Sequence, residues 1–122
     1  MLALVNSFHT VWGYIAISVS GLVGLWGVLG RQSRPTRVFA WALGVAFSTL
    51  LIQVISGVIM YSGGTEPGNQ HVFYGVLIAV TLSFVYIYRG EFRKRPMLYY
   101  GLVLLFLMGL AIRGIQTFGV DF

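Results

Sequence analysis

Of the chain's 122 residues, 57% are hydrophobic and only 9% are charged, whereas a soluble domain is about 25% charged. The net charge of +5 is no nucleic-acid footprint, because seven of the eight cations fall in two short segments. With no cysteine present, disulfides, covalent c-type haem attachment, iron–sulfur ligation and thiol catalysis are all excluded.

No charged side chain occurs in 1–30, 38–65, 67–88 or 96–112. A bilayer span takes about 20 apolar residues at ~1.5 Å each. The sequence therefore predicts membrane helices at 7–30, 37–62, 71–89 and 97–117. The expected fold class is all-α, a bundle of four transmembrane helices forming one integral membrane domain over residues 1–122.

The first helix opens with His9-Thr-Val-Trp-Gly13. Positions 9, 13, 16, 20, 24 and 27 read His, Gly, Ala, Ser, Gly, Gly and fall within ~80° of helical arc. A stripe of small residues admits another backbone or a flat ligand. This helix is not a secretory signal: it lacks a positive n-region, its apolar stretch is too long, and positive charge follows it.

Arg31, Arg34 and Arg37 occupy the first connection, and Arg89, Arg93, Lys94 and Arg95 the third. Four spans place these loops on one side, and short basic loops stay cytoplasmic. Both termini and the 62–70 loop then face outward, in a bacterial inner or plasma membrane. The same loops attract anionic lipid.

In the second helix, Gln53 and Gly57 lie near the exterior end. Gln53 is about nine residues, ~13 Å, inside the membrane, where a polar side chain faces the bundle interior. It serves there as an interhelical hydrogen-bonding group, or orients a histidine or a quinone carbonyl.

The third helix repeats the first motif, as His71-Val-Phe-Tyr-Gly75. Histidine start, helix, basic loop and helix then recur as a parallel two-helix repeat, whose axis runs along the membrane normal. His9 is 22 residues from Arg31 and His71 is 18 from Arg89, so their depths match to about one turn, ~6 Å. A lone interfacial histidine is usually a snorkelling polar group. Two in matched motifs on one side suit axial ligation of one haem b. The predicted metal ligands are His9 and His71, with Gly13 and Gly75 letting the ring plane approach.

In the fourth helix, Arg113 is the one basic residue on the exterior half. Its guanidinium fork suits a haem propionate; otherwise it snorkels or pairs with Asp121. Met97 and Met108 read as core filler. The only acids are Glu66, Glu91 and Asp121, all in loops or the tail, which leaves no buried carboxylate for a proton path. Pro35, Pro67 and Pro96 are expected in loops, against the broken helices of transporters. Trp12, Tyr14, Tyr61, Phe73 and Tyr74 near one end, and Trp41, Tyr86, Tyr88, Tyr99 and Tyr100 near the other, read as interface belts.

Histidine on helix one, Gln53-x-x-x-Gly57 late in helix two and histidine opening helix three together resemble one half of the haem A synthase family. The resemblance implies a four-helix bundle with a histidine pair on its first and third helices, matched here by His9 and His71. The chain has one half only, with no His-Arg dipeptide, no cysteine pair and no helix-borne acid on the exterior side. What carries over is the cofactor-holding scaffold, not haem hydroxylation. Cytochrome b subunits of respiratory enzymes share the bis-histidine logic.

Two readings follow. One is a haem-holding protein of an electron-transport membrane; the other is a cofactor-free accessory subunit of a larger respiratory or photosynthetic complex. Both expect the lipid bilayer and a membrane complex as partners, no nucleic acid, and no stand-alone enzyme. Cysteines introduced at Arg34 and Gly68 should label from opposite sides of the membrane. Labelling of both from one side would remove the four-span topology.

Overall fold

The structure, a computed structural model, describes residues 2–122. Five helices follow in order: α1 Leu2–Leu29, α2 Arg37–Ser62, α3 Asn69–Ile87, α4 Arg89–Phe92 and α5 Pro96–Gln116. All but the single turn of α4 are long and apolar enough to cross a bilayer. The chain is a small integral membrane protein with an all-α bundle of four spans.

Local chemistry sets the helix ends. Thr36 accepts the Phe39 N–H at 3.1 Å and so caps α2, satisfying one of the donors that a helix start leaves free. Pro96 does not lie in a loop as the sequence suggested. It opens α5, where its fixed φ and missing N–H cost nothing. Gly64 and Gly68 take positive φ in the turn between α2 and α3, a conformation that disfavours a Cβ. α1 is already helical at Leu2, so His9 lies two turns inside the helix rather than at its opening.

The chain beyond α5 folds back on this turn. Gly119 N–H donates to Pro67 O at 2.6 Å and Gln70 N–H to Val120 O at 3.0 Å. Asp121 Oδ1 accepts the Asn69 N–H at 2.9 Å. Gly68 offers no side-chain cap, so the tail serves the free donors of α3 instead.

Around the bundle, α1 packs between α2 and α5, while α3 packs on α5 and only loosely on α2. Spatial neighbours run antiparallel, so α1 and α3 face one another across the diagonal in the same direction. On the α1 stripe, Gly13, Ala16, Ser20, Gly24 and Gly27 are all buried. Its lower half is a seam of backbone against backbone. A Cβ on Gly27 would stand 2.5 Å from Met97 O, and one on Gly101 would stand 2.7 Å from Val28 N. Phe39, Leu50, Leu104 and Leu107 fill the core beside it. Leu22, Val58, Ile87 and Phe106 point outward, as a bilayer requires of the outer surface.

Gly101→Leu should therefore lower the thermal midpoint in detergent sharply, overpacking being worth about 1–3 kcal/mol. Gly44→Ala, where an added Cβ meets nothing within 4 Å, is the matched control and should leave the midpoint within a degree or two.

Candidate cofactor site

The two histidines meet. His9 on α1 and His71 on α3 stand with ring centroids 6.1 Å apart and planes at 76°. Two imidazoles sharing one metal at about 2 Å from each nitrogen have ring centres about 6 Å apart. Edge-to-face ring contact spans about the same distance, so spacing alone does not choose between them. The hydrogen bonds fix the tautomers.

His71 Nδ1 lies 2.6 Å from Gly114 O. A carbonyl only accepts, so Nδ1 carries the proton and Nε2 keeps its lone pair. His9 Nδ1 lies 2.7 Å from Ser56 Oγ. The single Ser56 hydroxyl proton is directed at Gln53 O, 2.9 Å away, which assigns the His9 proton to Nδ1 as well. The Gln53 amide nitrogen agrees with that tautomer. It donates to His9 O at 2.9 Å and faces His9 Nε2 at a long 3.4 Å, a contact that suits an acceptor and not a second N–H. Each histidine is thus tied through Nδ1 to the second helix of its own repeat, which fixes its tautomer and ring orientation. The Nε2 of His71 has no hydrogen-bond partner among the described residues, while that of His9 faces the Gln53 amide at 3.4 Å.

A cavity of about 280 Å³ adjoins both rings, at the small end of the usual range for ligand sites, about 300–1,000 Å³. It lies where α2 and α3 pack loosely, between Val54, Gly57 and Val58 on one side and Val72, Gly75 and Val76 on the other. Gly13, Ala111 and Gly114 also reach it. A Cβ on Gly75 would meet nothing within 4 Å, so this glycine borders open space. The other glycines differ in use. A Cβ on Gly57 would stand 3.1 Å from His9 Cε1, and one on Gly13 would stand 3.0 Å from Gln53 Nε2. Gly13 therefore makes room for the glutamine that holds His9, rather than for a ring directly.

Of the residues singled out in the sequence, His9, His71, Gly13, Gly75 and Gln53 line one cavity. Arg113 does not. It sits on the exposed face of α5, donating to Gln116 Oε1 at 3.1 Å, with its guanidinium 5.7 Å from the Tyr74 ring centre. The pairing with Asp121 is not formed, because that carboxylate is taken by the start of α3.

Sequence reasoning missed three members: Ser56, the Gly114 carbonyl, and Phe118, whose ring meets His71 edge-on at 5.2 Å. Ser56 was detectable in principle, one helical turn beyond Gln53 on the same face. A backbone carbonyl and a returning tail carry no such signal.

Gln53 Oε1 is buried without a donor among the described residues. Both amide hydrogens serve His9, and the orphaned oxygen is the cost of that. Searches against protein-family models, curated proteins and solved structures found no match for the chain.

Gly57→Leu should displace the His9 ring and lower the thermal midpoint, whereas Gly75→Ala should leave it unchanged. Thermal unfolding of both variants in detergent checks this, and equal losses would show that α3 lies closer to α2 than described here.

Proposed function

We propose that the protein is a membrane-embedded haem b carrier of an electron-transport membrane, in which His9 and His71 would hold the haem iron, with the basic loops on the cytoplasmic side of a bacterial inner membrane. The observation that carries this reading is the pair of imidazoles at one cavity, each fixed and protonated at Nδ1, with the His71 Nε2 lone pair free and the His9 Nε2 met only by the long 3.4 Å contact from the Gln53 amide. The donor set suits a macrocycle and not a bare ion. No group of three or more metal-ligating side chains exists among the described residues, while a porphyrin brings its own four nitrogens.

A haem held here would supply a one-electron iron couple. The chain's own residues do the rest. Ser56 and Gln53 hold His9 in one orientation, and the Gly114 carbonyl holds His71. Accepting the Nδ1 proton makes each imidazole a stronger donor at Nε2. Val54, Val58, Val72 and Val76 make the flanking wall apolar, which favours a neutral site and keeps water from the ligating nitrogens.

Protein purified from haem-replete cells should show the sharp reduced bands of a six-coordinate haem b. His9→Ala and His71→Ala should each abolish or convert the spectrum. Ser56→Ala should keep the spectral type while weakening haem retention about ten- to a hundredfold, the usual effect of losing an outer-shell partner. A colourless protein that assembles normally with a membrane complex, whether or not its histidines are present, would overturn the proposal in favour of an accessory subunit.

A further inference from the structure

A second groove lies at the opposite, basic end of the bundle. It has a volume of about 320 Å³ and is lined by Pro35, Phe39, Leu43, Phe47, Pro96 and Tyr100, between the starts of α2 and α5. Its floor is aromatic and packed: Phe47 meets Tyr100 at 6.0 Å, Phe92 of α4 covers Tyr100 at 4.8 Å, and Phe39 is fully buried against Trp26. Nothing in the groove's own wall is charged, yet both prolines that frame it stand in arginine clusters. Arg34 precedes Pro35 and Arg37 follows two positions on, while Arg93, Lys94 and Arg95 lead into Pro96.

The cations at this end divide into two sets. Arg31 donates to Val28 O at 3.3 Å, Arg89 donates to Tyr86 O at 2.7 Å and lies over the Tyr86 ring, and Lys94 pairs with Glu91 at 2.7 Å. Arg34, Arg37, Arg93 and Arg95 are exposed and have no side-chain hydrogen bond or ion pair among the described residues. All four of these arginines lie within three positions of Pro35 or Pro96 in the chain. A guanidinium fork matches a phosphate with two parallel hydrogen bonds. An apolar cleft among membrane helices matches an acyl chain. An anionic phospholipid carries both parts on one scaffold.

We infer that the groove between the starts of α2 and α5 is a specific site for one anionic phospholipid, its phosphate held by Arg34, Arg37, Arg93 and Arg95 and an acyl chain lying along Leu43, Phe47 and Tyr100. Basic pockets between membrane helices recognise lipid headgroups in this way. The site is independent of the histidine cavity and of whether haem is bound there.

The test is native mass spectrometry of the full chain in detergent, titrated with phosphatidylglycerol, with phosphatidylcholine, and with phosphatidylglycerol in excess inorganic phosphate. One phosphatidylglycerol should be retained in preference to phosphatidylcholine, and inorganic phosphate should not displace it. Each arginine near a membrane surface contributes about fivefold (~1 kcal/mol), so Arg34→Gln with Arg95→Gln should weaken retention roughly twentyfold. Arg31→Gln with Arg89→Gln removes equal charge away from the groove and should have little effect. Leu43→Trp keeps all charge, fills the groove, and should also weaken retention. Equal losses in the two arginine pairs, or unaltered binding in Leu43→Trp, would reduce the effect to bulk surface charge and overturn the site. Displacement by inorganic phosphate would overturn it in favour of a plain anion site.

Discussion

The bundle depends on how closely α1 and α5 approach. Gly24, Gly27 and Gly101 bring backbone to backbone, so near that a Cβ at Gly101 would reach Gly24 O at 2.8 Å. Inside a bilayer there is no hydrophobic drive between helices, and association rests on close van der Waals packing. Toward the histidine end the contact loosens. Met108 and Leu105 replace backbone as the partners of the α1 glycines, and Gly13 already faces Gln53 of α2 instead. A bundle whose α1–α5 seam is tight at one end and propped by longer side chains at the other leaves room for a cavity beside the histidines.

That spare volume is not filled by the polar groups beside it. The short polar network of His9, Ser56 and Gln53 ties α1 to α2, and the His71–Gly114 bond ties α3 to α5. Both sets bind within a two-helix repeat. Across the cavity, between the repeats, no polar bond joins the two rings. The opposing halves meet through α1 on α5 and through the tail, while α2 and α3 stay loosely packed.

The polar ends of the molecule have opposite characters. At the histidine end the tail closes on the α2–α3 turn through backbone hydrogen bonds, with Phe118 against His71. At the basic end the aromatic floor is left open, and the arginines around it lack protein partners. With only Glu66, Glu91 and Asp121 as acids against eight cations, most of the cations must look outside the protein for a counter-charge.

Much of this was legible in the sequence. The charge-free runs gave four spans, because a helix in lipid must hide its backbone polarity and so cannot be interrupted cheaply. The 3.6 period of small residues marked the buried face of α1, and the repeated motif paired His9 with His71. The stripe alone did not reveal that its lower half is a helix seam and its upper half a support for Gln53, since small residues serve both ends equally. Nor did it show Arg113 turned outward, Asp121 drawn to α3, or Pro96 opening a helix. Those outcomes rest on which neighbours the fold supplies: a carbonyl at Gly114, a hydroxyl at Ser56, a returning tail. The sequence by itself determined the spans and the depth at which the histidines lie, through hydropathy and helical period. Only the tertiary structure decided which nitrogen of each histidine carries the proton, because that depends on partners 47 and 43 residues away along the chain.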